Sequence, residues 1–191
     1  MDFSAMLQAT IALFIIVDSI GGIPLMMGVV EGLDKEKRSR VFSTATLVTF
    51  ALLLAFSVIG QHMLALFSIS INNFKIAGGL LLLALAMRIL IYSKATEASP
   101  EDMGAVPIAF PLLAGPGAIT ATIVTLQTSG YEVAVSAVLI VSLLTWITFL
   151  FIDPIYRLLG KTGSVVINKV MAVFIASIAV KFITSGFGLF I

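Results

Sequence analysis

Apolar runs long enough to cross a bilayer alternate along this chain with short polar segments, and that alternation predicts its elements. A bilayer core ~30 Å thick needs roughly 20 apolar residues per helical span. Residues 5–30 form the first run, with Asp18 as its single charged side chain. The second, 41–60, opens a stretch free of Asp, Glu, Lys and Arg through Phe74. The third spans 74–92, with Lys75 at its start and Arg88 near its end. The fourth lies within 103–129, the fifth at 133–152 and the sixth at 165–187. The intervening segments are punctuated as connections: a charged 31–40, a short 61–73, a polar 93–102 with Pro100, and 153–161 opening on Asp153-Pro154, a turn signal. None is long enough to hold a soluble domain. The pattern predicts one all-α integral membrane domain over 1–191, built from six transmembrane helices.

Composition strengthens this reading. The chain is 60% hydrophobic and 11% charged, with a mean hydropathy of +1.16. A soluble domain needs far more charge to cover its surface. A net charge of +1 offers no basic stripe for a polyanion, so nucleic acid is excluded as a partner. No cysteine is present, which excludes disulfides and thiolate metal sites, and a single histidine builds no metal cluster. The N-terminal segment lacks a basic n-region and a small-residue cleavage site, so its apolar run reads as a retained span. Of the eleven Lys and Arg residues, nine fall on one side of the membrane: Lys35, Lys37, Arg38, Arg40, Arg88, Lys94, Arg157, Lys161 and Lys169. Lys75 and Lys181 fall on the other. The positive-inside rule makes the richer side cytoplasmic and places both termini outside, in a cell (inner) membrane.

Two spans carry helix breakers at matched positions. The first contains Asp18-Ser19-Ile20-Gly21-Gly22-Ile23-Pro24, and the fourth contains Pro111-Leu112-Leu113-Ala114-Gly115-Pro116-Gly117-Ala118-Ile119-Thr120. Shifted by 96 positions, Phe14 meets Phe110, Gly21 meets Gly117 and Ile23 meets Ile119. The third and sixth spans also open alike, Lys75-Ile76-Ala77-Gly78 beside Lys169-Val170-Met171-Ala172. Three spans per half, at 1–95 and 100–191, would make the second half enter the membrane upside down. Inverted repeats with paired interrupted helices point to a transporter's binding site. Proline removes a donor and glycine leaves helical dihedrals cheaply. Within lipid, the freed backbone groups are tolerated only where protein or water covers them. A half-helix N-terminus suits a carboxylate and a half-helix C-terminus an ammonium group, so two meeting breaks suit a zwitterion. The competing reading is a packing kink, since Gly and Pro are common in membrane helices. Matched breaks in both halves favour the site.

The candidate substrate-binding residues are therefore Asp18, Ser19, Gly21, Gly22, Pro24, Ala114, Gly115, Pro116, Gly117, Ala118 and Thr120, with Ser19 and Thr120 as hydroxyl donors. Asp18 is the acid deep in a span, where an ionisable group is a functional candidate by default. It also suits a cap on the restarting half-helix. Elsewhere, Arg88 and Lys181 are expected to snorkel to opposite interfaces. Asn72 and Asn73 are expected to cap the third helix. Thr44, Thr46 and Thr49 are expected to hydrogen-bond between helices, and Gly78-Gly79 to allow close packing.

At these motifs the sequence resembles the MarC family of bacterial and archaeal membrane proteins, which includes the small neutral amino acid transporter SnatA. Asp18, Gly21 and Pro24 match the family's Asp-Pro-x-Gly-Asn-x-Pro, with Ser19 where Pro is usual and Gly22 where Asn is usual. Pro111–Thr120 matches the family's second motif almost completely, and residues 74–83 fit its third span. The resemblance covers nearly the full chain. It implies two inverted three-helix repeats with discontinuous first and fourth helices. It further implies transport of a small neutral amino acid such as glycine or alanine, with no cofactor and a proton or sodium ion as the coupling candidate. Export of other metabolites or drugs is the alternative, which a large apolar cavity would favour. An enzyme would need several titratable groups at mid-membrane depth, and beyond Asp18 the spans offer none. No phosphate-binding G-x-x-x-x-G-K-[ST] loop is present, so ATP-driven pumping is unsupported.

Overall fold

The computed structural model describes residues 3–30, 32–91 and 113–189. Among them the chain is helical and without strands: α1 Phe3–Val17, α2 Ile23–Val29, α3 Lys35–Leu66, α4 Ile71–Ile91, α5 Pro116–Ser129, α6 Tyr131–Leu150 and α7 Ile152–Gly186. α7 is interrupted at Gly160 (φ 63°, ψ 179°). Four stretches are long and apolar enough to cross a membrane: Lys35–Leu66, Ile71–Ile91, Tyr131–Leu150 and Thr162–Gly186. The two spans expected to be broken supply only shorter helices. The 93–102 connection with Lys94 and Pro100, and the opening of the fourth span with Phe110, Pro111 and Leu112, lie outside the described residues.

Several helices outrun their apolar segments. The charged segment expected to connect the first two spans contains the first turn of α3. Asp34 is its N-cap, and its Oδ1 accepts the Lys37 backbone N–H at 2.9 Å. That bond holds Asp34 below the usual carboxylate range. At the other end α3 runs on through Leu66, so the connection to α4 shrinks to residues 67–70. The turn expected at Asp153-Pro154 is instead the first turn of α7. There proline's missing donor costs nothing. α4 is capped by Ser70, whose Oγ accepts the Asn73 N–H at 3.1 Å, rather than by the asparagines. Thr46 donates to the Phe42 carbonyl of its own helix and not across a helix pair.

The packing is organised around the broken helices. α1 touches α5, α6 and α7, while α5 touches α3, α4 and α6. α3 lies along α6, with Phe42 and Phe149 stacked at 5.1 Å between ring centroids. The most extensive pair is α4 against α7. Small residues permit these approaches: a Cβ on Gly79 would stand 2.8 Å from the Ala179 carbonyl, and one on Gly186 2.8 Å from that of Asn72. Lys75 Nζ donates to Ser185 Oγ at 3.1 Å along the same seam. Lipid is as apolar as a leucine core, so such close van der Waals contact carries much of the association. Leu53, Leu82, Val138 and Ile175 are fully shielded, whereas a broad outer belt including Leu47, Leu80, Leu143 and Val173 stays exposed.

Candidate functional site

The first break has a defined geometry. α1 stops at Val17 because Asp18 adopts a left-handed backbone, φ 51°. Asp and Asn tolerate that region better than other residues with a Cβ. The Asp18 carbonyl then accepts the Gly22 N–H at 2.9 Å, and its Oδ1 accepts the Gly21 N–H at 3.2 Å. The carboxylate folds so closely over Gly21 that a Cβ there would come within 2.8 Å of Asp18 Cγ. The chain restarts at Ile23, with Pro24 in the first turn of α2 where proline is favoured. The N-cap of α2 is Gly22, with no side-chain cap bond, so Asp18 closes the intervening turn and does not cap the restarting half-helix as expected.

The second break is seen from its outgoing side. Gly115 is extended (φ −63°, ψ 168°) and Pro116 opens α5. The Ile119 N–H reaches back to the Gly115 carbonyl at 3.1 Å. At ~1.5 Å per residue, the 15 residues of α1 and 14 of α5 extend about 22 and 21 Å from their breaks. The C-terminal end of α1 and the N-terminal end of α5 are brought together in the fold.

They meet on a cavity of about 250 Å³. Asp18, Ser19 and Gly22 line it from the first break, and Gly115, Pro116, Gly117 and Ala118 from the second. Gly21, Pro24, Ala114 and Thr120 lie outside its wall. Gly21 is covered by the Asp18 carboxylate, and Ala114 is fully buried. Thr120 turns its methyl toward Gly78 on α4, while its hydroxyl donates to the Pro116 carbonyl at 2.8 Å. The Ser19 hydroxyl is shared with Thr145 of α6 at 2.7 Å, tying the break to the bundle.

The sequence reading missed the cavity's third wall. Leu81, Leu82, Leu85, Arg88 and Ile89 of α4 complete it, so the exposed Arg88 also borders this site. The signal available was helical spacing: 82, 85 and 89 share one face with the small Gly78. Asp18 and Arg88 are the charged side chains on an otherwise largely apolar wall. No group of His, Cys, Asp or Glu among the described residues could hold a metal ion.

Two stability predictions follow from these bonds. Asp18→Asn keeps an oxygen acceptor and a residue suited to positive φ, so the protein should unfold within a few degrees of wild type. Asp18→Leu loses the Gly21 partner and strains the turn, for a cost of about 1–3 kcal/mol. Thermal unfolding in detergent distinguishes them, and equal midpoints would remove the turn from the account. Ser19→Ala strands the Thr145 hydroxyl at a cost of ~1 kcal/mol, whereas Ser19→Ala with Thr145→Val should recover most of it. A double-mutant cycle with no coupling contradicts the bond.

Comparison with known proteins shows the family of the chain. Residues 3–190 match the MarC family of integral membrane proteins. The chain is 35% identical over 188 residues to a UPF0056 membrane protein of Archaeoglobus fulgidus, covering 91% of this chain and 88% of the relative. It is 32% identical to the UPF0056 membrane protein YhcE of Escherichia coli, covering 97% and 93%. Its identity to the UPF0056 membrane protein YvbG of Bacillus subtilis is 30%, covering 97% and 95%. No solved structure matches the chain. With nearly its whole length matched by the family and by relatives from bacteria and archaea, the chain belongs to the MarC family of integral membrane proteins.

Proposed function

We propose that this protein is a secondary transporter of small neutral amino acids. In this reading six spans form two inverted three-helix halves, α1 with α2 making the first span and α5 belonging to the fourth. Substrate binds at mid-membrane between the breaks, and the halves rock around it in alternating access. One observation carries the proposal: the C-terminal end of α1 and the N-terminal end of α5 border the same small cavity. The C-terminal end of α1 presents carbonyls to an ammonium group, with the Asp18 carboxylate beside them. The N-terminal end of α5 presents the Gly117 and Ala118 N–H groups to a carboxylate. Pro116 has no N–H to offer there, and Ser19 and Thr120 have their hydroxyls engaged. The backbone is thus the principal donor.

The helix contacts support the two-fold arrangement. Under the shift of 96 positions α5 corresponds to α2, so α4 against α5 has its counterpart in α7 against α2. The pairs α3 with α6 and α4 with α7 are their own counterparts. The volume favours a small solute, since drug-sized ligands fill pockets of roughly 300–1,000 Å³ and this cavity holds about 250 Å³. The basic-residue asymmetry supports an orientation with both termini outside the cytoplasm, and the reading takes the membrane to be the inner one.

The test is uptake of labelled glycine, alanine and serine into liposomes holding the pure protein, with proton and sodium gradients imposed in turn. The expected result is saturable uptake driven by one gradient. No uptake under either, with tight drug binding instead, replaces this reading with drug export.

A further inference from the structure

A second cavity of about 220 Å³ lies at the basic end of the bundle, between α3, α6 and the start of α7. α3 contributes Lys35, Arg38, Ser39 and Ser43 to its wall, α6 contributes Trp146, and α7 contributes Asp153. Two cations against one carboxylate leave this wall with a charge of +1. Arg38 is held in place from both sides. Its Nη1 lies 3.3 Å from Asp153 Oδ1, and its Nη2 donates to Met27 Sδ at 3.4 Å. Its Nε–H, however, is buried with no acceptor. The guanidinium therefore lends its charge to the cavity wall, while its Nε–H lies behind the surface a ligand would touch.

The remaining groups point to the class of ligand. Lys35, Ser39 and Ser43 are spaced four residues apart, so they form one row along α3, running from the charged end of the helix into its apolar length. All three are exposed, as is Trp146, the one tryptophan of the chain. A tryptophan beside basic and hydroxyl groups, where helices leave the bilayer, marks headgroup depth. Basic pockets between membrane helices are suited to anionic headgroups.

We propose that this cavity binds the phosphate group of an anionic phospholipid. The Lys35 ammonium and the Ser39 and Ser43 hydroxyls donate to the phosphodiester oxygens, the Arg38 guanidinium supplies charge from the wall, and the lipid chain lies along Trp146. A single phosphodiester charge neutralises the wall, where Asp153 is already paired with Arg38. The site is independent of the transport reading.

The experiment is lipid binding to the purified full-length protein in detergent, by native mass spectrometry and by lipid-dependent thermal shift. Three probes are compared: phosphatidylglycerol, phosphatidylcholine and inorganic phosphate. Phosphatidylglycerol should bind at least ~10-fold more tightly than phosphatidylcholine and should raise the unfolding temperature saturably. Ser39→Ala with Ser43→Ala, two exposed positions, should weaken it by about 10-fold or more while leaving the lipid-free unfolding temperature unchanged. Lys35→Gln, which removes the exposed charge of the wall, should weaken it likewise. Equal binding of the two lipids, or no effect of the serine pair, overturns the site. Inorganic phosphate binding as tightly as phosphatidylglycerol overturns the lipid assignment in favour of a free-anion site.

Discussion

Gly117→Ala is expected to lower amino acid uptake by about 10–200-fold while leaving the protein folded, the range for one misplaced methylene in a fitted apolar pocket. A Cβ at Gly117 would overlap the end of the Leu82 side chain, standing 2.9 Å from its Cγ and 3.4 Å from Ile16 Cγ2. Leu82 is fully buried, and its free side is the cavity that it lines. The added methyl therefore pushes Leu82 into the space the substrate needs. Alanine is a better helix former than glycine in the first turn of α5, so the helix itself does not suffer. Gly117→Val is expected to abolish uptake, but its branches reach both Leu82 and Ile16, which makes it the harsher test of folding. The discriminating variant is Gly117→Ala with Leu82→Ala, which clears the space and should return part of the lost uptake. Full uptake by Gly117→Ala alone would remove this cavity from the transport path, while leaving the folded architecture untouched.

That prediction rests on residues whose meaning was local and therefore legible. Asp18, Gly21, Gly22, Pro24, Gly115 and Pro116 act on the backbone they belong to, so a break can be read from a short segment alone. Their convergence on one cavity is a tertiary fact, anticipated only through the matched positions in the two halves. The α4 wall was illegible for a different reason. Leu80 is 54% exposed, Leu81 50% and Leu82 fully buried. Three adjacent leucines thus face two environments, because lipid and protein core accept the same side chain and erase the amphipathic pattern that marks a soluble helix. Thr120 shows the converse. Its type suggested a ligand donor, but a helical threonine readily turns its hydroxyl back to its own carbonyls. Helix ends were misjudged at Asp34 and Pro154 because hydropathy reports where the membrane stops, while capping reports where the helix stops. Arg88 was placed by its charge alone, with no account of the helix face that it shares with Leu81 and Leu85.

Gly79→Ala is expected to be the most damaging single methyl in the protein, costing about 2–4 kcal/mol and lowering the unfolding temperature in detergent sharply. The added Cβ would stand 2.8 Å from the Ala179 carbonyl oxygen and 3.2 Å from the Ile183 nitrogen, with Ile183 Cγ1 at 2.7 Å. Two of these three atoms are backbone, so α7 cannot yield by changing a rotamer, and the helices must separate along their whole seam. Gly186 repeats the constraint near the other end, against the Asn72 carbonyl and Ile76. Gly78, its neighbour, faces the other way, and the obstacle there is the Thr120 side chain. The two glycines therefore differ in whether a partner can compensate. Thr120→Ala should restore much of the stability lost in Gly78→Ala. No side-chain replacement on α7 should fully restore Gly79→Ala, because Ile183→Ala removes the side-chain contact and leaves both backbone ones. Gly28→Ala serves as the control: a Cβ there meets nothing within 4 Å, so helix propensity alone should leave it neutral or slightly stabilising. If Gly79→Ala unfolded with Gly28→Ala, the α4–α7 seam would not be the close backbone contact on which the bundle depends.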